Sequence, residues 1–184
     1  MSSLSRNQLE SWIKNIDVKG SVLDIGGGQK SLEGRVKSFN PDPYVILDIE
    51  KGDVIHDVCT PCKFDDLFKM QKKKFDMIFC LEVSEYFVNP AVAILNISDW
   101  ISDFGKVYMS FHFIYPIHKP DGDDMLRYTD NWVKKAFNYY GFRNINILNR
   151  MATSNKLKDF YSEEKMKRFK DEDVIGYLVE ASKR

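Results

Sequence analysis

The stretch Val-Leu-Asp-Ile-Gly-Gly-Gly at residues 22–28 constrains this chain more than any other. Its first four residues read as a short buried strand, interrupted only by Asp24, and three consecutive glycines end it. Glycine lets the backbone turn sharply and lets another group approach without interference from a Cβ atom. A strand that breaks into such a loop and then enters a helix opens a βαβ unit, which commits the chain to an α/β architecture.

The rest of the sequence fits that beginning. Ser5-Arg6-Asn7-Gln8 has the form of a capping box, and Leu9, Trp12, Ile13 and Ile16 follow at helical spacing. Residues 1–20 are therefore expected to hold an N-terminal helix that Gly20 ends. Strands are expected at residues 21–25, 44–47, 54–58, 75–81, 106–113, 144–148 and 175–181. A helix is expected over residues 31–39, with Gly34 weakening it. A second starts at Asn89-Pro90, where Asn caps and Pro fits the first turn. A third runs from Thr129 to Gly141, with Trp132, Val133, Ala136, Phe137 and Tyr140 on one face, and a charged helix covers residues 156–170. Strands alternating with helices imply a mostly parallel sheet covered on both faces. No repeat, linker or low-complexity tract divides it, so one domain is expected over residues 1–184.

In such a sheet the ligand sits beyond the carboxyl ends of the strands, where the strand order reverses. That directs attention to Gly26, Gly27, Gly28, Asp48, Asp57 and Glu82. A dinucleotide site would want Gly-x-Gly-x-x-Gly facing a pyrophosphate. Gly26 and Gly28 fit the first two positions, but Ser31 occupies the third, and Asp24 precedes them. An acid there is awkward for a pyrophosphate and suits a cationic ligand carrying an ammonium and a sulfonium. Asp48 lies 24 positions beyond Asp24 at the end of the next strand, where a carboxylate can accept hydrogen bonds from both ribose hydroxyls.

With these residues in view, the chain resembles the class I, Rossmann-like S-adenosylmethionine methyltransferases. The segment Phe75-Asp76-Met77-Ile78-Phe79-Cys80-Leu81-Glu82-Val83-Ser84-Glu85-Tyr86 extends the likeness to that family's fourth strand and its Glu-x-x-Glu-His turn, as in the ubiquinone-biosynthesis-like branch. The resemblance implies a three-layer αβα sandwich around seven strands, the last antiparallel to the rest. It implies S-adenosyl-L-methionine as the cofactor, with Asp24 and Gly26 near the methionine moiety, Gly27 and Gly28 in the turn beneath it, and Asp48 at the ribose. Ile49 would flank the adenine, Asp57 and Val58 would meet its edge, and Glu82 and Val83 would line the floor between cofactor and substrate. Lys30 departs from the pattern where many members have a further glycine, and Tyr86 replaces the common histidine.

Residues 111–129 are expected to form a loop on the substrate side. Phe111-His112-Phe113-Ile114-Tyr115-Pro116-Ile117-His118 leads there into Asp124-Met125-Leu126-Arg127-Tyr128-Thr129. It resembles a subgroup found beside sugar or polysaccharide biosynthesis, which makes a small-molecule oxygen or nitrogen the expected methyl acceptor. Tyr115, His118, Arg127 and Tyr128 are the substrate-side candidates. His118 can act as the base, since its reference pKa of about 6.5 lies near working pH. Arg127 can hold a substrate anion. Alternatively Arg127 and Asp124 simply staple the loop, and strand alternation turns His112 into the core.

Composition bears on partners. Lys plus Arg equals Asp plus Glu at 27 each, so no global field draws in a polyanion, which argues against nucleic acid. No apolar run approaches the length of a membrane span, and Met-Ser-Ser-Leu-Ser-Arg lacks the apolar core of a secretion signal. The cytoplasm is the expected location, and there the three cysteines stay reduced. Cys59-Thr60-Pro61-Cys62 has redox-motif spacing, but a turn around Pro61 is the expected role, with no second pair to complete a metal site. Two other readings stand beside methyl transfer. One is a nicotinamide-dependent oxidoreductase, against which Ser31 and Asp24 count, and the other is a non-catalytic protein acting through a partner.

Overall fold

Helix α1 (Leu4–Ile13) is capped by Ser3, whose side chain accepts from the Arg6 amide, rather than by the expected box at Ser5, which is buried inside the helix. The computed structural model describes residues 3–69, 71, 73–116, 124–152 and 174–184. The charged helix expected over residues 156–170 lies outside them. After α1 the chain enters β1 (Asp17–Ile25), which starts earlier than expected, so Gly20 does not end the helix but sits within the strand. There it adopts φ 72° where the pairing with β2 shifts register. A Cβ at this point would stand 2.6 Å from Asp76 Oδ2, the atom that accepts the Ser21 amide.

The helix expected over residues 31–39 does not form. Residues 26–37 are turns and bends, and β2 (Ser38–Asp48) begins where the helix was to end. Three local competitors explain this. Ser31 Oγ accepts the Glu33 amide at 3.2 Å, which offers the backbone an alternative to a helical bond. Gly34 takes φ 76° with open space around it. Leu32 is drawn into the core beneath α1, while Arg35 reaches back to Glu10 of α1 at 3.0 and 3.1 Å and to the Lys30 and Ser31 carbonyls. Arg6 and Lys30 join the same carboxylate. Burial alone would raise the Glu10 pKa, but these cations hold it at about 2.

The remaining elements are β3 (Val54–Ile55), shorter than expected, α2 (Phe64–Leu67), β4 (Phe75–Cys80), a 3-10 turn (Ser84–Tyr86), α3 (Pro90–Trp100), β5 (Ile101–His112), α4 (Asp130–Tyr139), β6 (Asn144–Met151) and β7 (Val174–Ser182). Asn89 and Thr129 cap α3 and α4 as expected, accepting the Val92 and Trp132 amides. The sheet runs β3-β2-β1-β4-β5-β7-β6. The pairs β1–β2, β1–β4, β2–β3 and β4–β5 are parallel, and β7 is antiparallel to both β5 and β6. The expected seven strands with the last antiparallel are thus present.

Alternation along each strand separates two apolar layers. Leu23, Ile25, Ile78, Cys80 and Met109 pack with Ile94, Ile97 and Trp100 of α3 and Val133 and Phe137 of α4. Val22, Met77, Phe79 and Tyr108 pack on the other face against Leu9 and Ile13 of α1 and against Leu32. Among the described residues no helix is long and apolar enough to cross a membrane.

Candidate functional site

The strand order reverses between β1 and β4, so the loops after these two strands flank the crevice where a ligand is expected. The glycine loop sits on one side of it. Gly26 takes φ 77° and donates its amide to the Leu47 carbonyl at 2.8 Å, which ties the loop to β2. A Cβ at Gly26 would stand 2.3 Å from Val83 Cγ2, one at Gly27 2.5 Å from Asp24 Oδ2, and one at Gly28 2.1 Å from the Lys51 carbonyl oxygen. The loop is therefore wedged between the turns after β2 and β4, and each glycine is required by its immediate neighbours. Lys30, where a further glycine was the family's pattern, closes a turn onto the Gly27 carbonyl and extends its amine to Glu10.

Asp24 lies buried beneath this loop. Its carboxyl accepts from the Tyr44 hydroxyl on β2, and that hydroxyl in turn accepts the Leu32 amide at 3.3 Å. Burial raises the Asp24 pKa to about 7, with the Asp48 charge adding to the rise and Tyr44 and Arg35 opposing it. Asp48 is half-buried and already engaged with its surroundings. Its Oδ2 accepts the Gly28 amide at 3.3 Å, and its Oδ1 accepts the Glu50 and Lys51 amides at 3.0 and 3.4 Å. A carboxylate has about four acceptor positions, so capacity for a hydroxyl remains. Ile49, next to it, is 68% exposed, a large apolar side chain left uncovered at the end of β2. Asp57 is exposed and accepts the Cys59 amide at 2.8 Å, whereas Val58 is buried in the core.

Across the crevice Glu82 has φ 59°, uncommon for a residue with a side chain. Ser110 of β5 holds it twice: Ser110 Oγ accepts the Glu82 amide at 2.7 Å and donates to Glu82 Oε1 at 2.9 Å. Arg150 of β6, fully buried, donates to Glu82 Oε1 at 2.7 Å and to the Ser5 carbonyl at 2.8 Å. Burial pushes the Glu82 pKa up, yet Arg150 outweighs it and holds the carboxyl below its ordinary range. His112 Nε2 lies 3.2 Å from Glu85 Oε1 and 3.6 Å from Glu82 Oε2. Its ring is buried and stacks on Tyr115 with centroids 4.1 Å apart. The carboxyl ends of β4 and β5 thus carry a buried cluster of two carboxylates, an arginine and a histidine.

On the substrate side, Arg127 pairs with Asp124 and donates to the Tyr115 carbonyl at 3.1 and 3.3 Å. Those bonds make it the staple of its own segment rather than a waiting anion site. Tyr128 is buried, and its hydroxyl donates to the Ser84 carbonyl at 2.6 Å. It braces the turn after β4 from behind and is not available to a substrate. His118 lies outside the described residues. Sequence reasoning missed Tyr44, Ser110 and Arg150 and placed no weight on Glu85. Tyr44 stood in an apolar strand, and Arg150 stood beyond the strand expected over residues 144–148, so only the observed strand register reveals what either faces. The Cys59–Cys62 turn is a packing feature: Asn96 of α3 donates to the Val58 and Thr60 carbonyls at 2.9 and 2.8 Å and accepts the Cys62 amide. Burial raises both thiol pKa values, the opposite of a reactive pair. A shallow depression lined by Lys106, Asn144, Asn146 and Glu180 lies at the opposite ends of the strands from these loops.

No family model matches the sequence, and no curated protein matches it. Solved structures do. The phosphoethanolamine N-methyltransferase 2 of Haemonchus contortus, solved with S-adenosyl-L-methionine, superposes with a TM-score of 0.60 at 11% identity over 97% of this chain. This chain spans about half of that one, 52%. A SAM-dependent methyltransferase from Archaeoglobus fulgidus gives 0.59 at 13% identity, covering 97% of this chain and 91% of the other. The CMeT domain of the citrinin polyketide synthase gives 0.57 at 12% identity, covering 97% and 50%. These likenesses show the fold, which is the Rossmann-like methyltransferase fold.

Proposed function

We propose that the chain is an S-adenosylmethionine-dependent methyltransferase that moves a methyl group to an oxygen or nitrogen of a small molecule. The observation that carries this reading is the pair Asp24 and Asp48 on either side of three glycines at the point where strand order reverses. Two carboxylates and no phosphate-binding helix N-terminus complement a cationic ligand with a diol better than a pyrophosphate. The absence of a helix at residues 31–37 therefore strengthens the argument against a nicotinamide dinucleotide.

When bound, the cofactor supplies a methyl group on a positively charged sulfur, activated for in-line displacement. Asp24 would face the ammonium end, Asp48 would accept from the ribose hydroxyls, and the exposed Ile49 would gain an apolar partner in the adenine, with Asp57 and Val58 at its edge. Gly26 and Gly27 would let the methionine part of the cofactor approach the backbone without a Cβ in the way, with Gly28 in the turn beneath it. Glu82 and Val83 would form the wall toward the acceptor. The protein's main contribution is to align acceptor and sulfonium and to exclude water. His112 is shut behind Tyr115, so any proton removal from the acceptor falls to another group, for which we propose His118. The fold occurs in the CurJ carbon methyltransferase (TM-score 0.57 at 11% identity, covering 91% of this chain and 48% of the other) as well as in the N-methyltransferase above, so the fold itself does not choose the acceptor atom. The sugar or polysaccharide precursor rests on the substrate-side segment alone.

Calorimetric titration with S-adenosylmethionine and with NADH tests the reading. Binding of the former is expected, and tight binding of NADH alone would overturn it. Asp48→Ala should weaken S-adenosylmethionine by about 1–3 kcal/mol, the cost of hydroxyls left without a charged acceptor. His118→Ala should bind the cofactor normally and transfer the methyl more slowly.

A further inference from the structure

Gly176 on β7 stands directly between Arg150 on β6 and His112 on β5 in the strand register. A Cβ there would lie 2.4 Å from the Phe111 carbonyl oxygen and 3.5 Å from Arg150 Cδ. The arginine lies alongside this position, reaches past β7 and β5 and puts its guanidinium on the Glu82 carboxylate at the end of β4, at 2.7 and 3.4 Å. The same guanidinium bonds the Ser5 carbonyl in α1. One side chain thereby ties the edge strand, the first helix and the turn after β4 together.

Stability alone is a poor reason for this arrangement. A buried ion pair contributes little net stability against apolar residues of equal volume, because desolvation offsets the attraction. Arg150 Nε moreover finds no hydrogen-bond partner among the described residues. What the pair does enforce is a conformation. Glu82 at φ 59° is strained, and such strain persists only where its surroundings over-determine it. Ser110 grips the Glu82 amide and carboxylate, and Arg150 clamps the carboxylate from the far side. The next residue, Val83, packs its Cγ2 where a Cβ of Gly26 would be.

We propose that Arg150 is a positioning residue for the cofactor loop, acting through Glu82 and Val83 on Gly26 across the width of four strands. The proposal rests on the cofactor reading above, and its test separates the two. S-adenosylhomocysteine binding is measured by calorimetry on the full chain, with circular dichroism melts in parallel, for wild type, Arg150→Met, Val83→Ala and the double variant. Arg150→Met should weaken binding about tenfold, which is about 1.4 kcal/mol. The double variant should lose no more than the worse single one, because both act along one line of contact. Ser98→Ala serves as the control: it loses the 2.6 Å bond from α3 to the Tyr140 carbonyl and should melt lower while binding normally. Should Arg150→Met not fold, Ser110→Ala replaces it, releasing the Glu82 amide with a smaller change, and the same loss is expected. A folded Arg150→Met or Ser110→Ala that binds like wild type overturns the proposal, as does full additivity with Val83→Ala. Wild type that fails to bind S-adenosylhomocysteine overturns the cofactor reading instead.

Discussion

At the scale of single residues, the three glycines serve a purpose their sequence only half declared. Their run suggested space for a ligand, whereas their surroundings show a loop packed without room for Cβ between Val83, Asp24 and the Lys51 carbonyl. Any side chain at Gly28 would have to displace backbone, so Gly28→Ala should be more damaging than its exposure suggests. Asp24 offers the sharper test. Its folded pKa of about 7 lies above the ordinary aspartate value, so the folded state favours the protonated form. Its contribution to stability is therefore fullest below about pH 4 and is lost as pH rises through the folded value. Asp24→Asn, neutral throughout, should match wild type in thermal melts near pH 4 and exceed it at pH 8 by about 2–4 kcal/mol. Affinity for an ammonium-bearing ligand should move the other way, tightening in wild type as the carboxyl ionises. The same melting difference at both pH values would exclude Asp24 as the titrating group.

At the scale of elements, the connection from β1 to β2 is the unusual part. It makes a parallel crossover without a helix, and α1 supplies the cover that a helix would have given. Arg35 is the tie, with four bonds to Glu10 and to the Lys30 and Ser31 carbonyls. Arg35→Met should cost about 1–2 kcal/mol in urea unfolding. The turn holding Cys59 and Cys62 depends likewise on buried Asn96. Asn96→Ala leaves two carbonyls and an amide without their partner and should cost about 2–3 kcal/mol. Alkylation of the folded protein at neutral pH should be slow at Cys59, since burial holds that thiol protonated.

At the scale of the whole molecule, much of the architecture was legible in the chain because buried parallel strands appear as apolar runs ended by glycine or acid. The strands around Leu23, Ile46, Ile78 and Val179 were readable for that reason. The failed helix at residues 31–39 was not, because Leu32 serves a tertiary contact under α1 that overrides local pattern. Asp24, Asp48 and Glu82 were legible as acids at strand ends, but their partners Tyr44 and Arg150 were visible only through register. If the cofactor reading holds, S-adenosylhomocysteine at about 100 times its Kd should add roughly 2.7 kcal/mol and raise Tm by about 5–10 °C. An unmoved Tm at saturating ligand would count against specific binding. Strand β7 has a consequence for how the protein is made. It is inserted between β5 and β6, and among the described residues β6 has no other neighbour in the sheet. During synthesis Arg150 emerges from the ribosome before Gly176, yet it cannot be seated until residues 174–182 follow and zip in between. The far edge of the sheet and the clamp on Glu82 therefore assemble together as a late step. A nascent chain halted before Val174 would expose an unpaired β5 edge to its neighbours on the polysome.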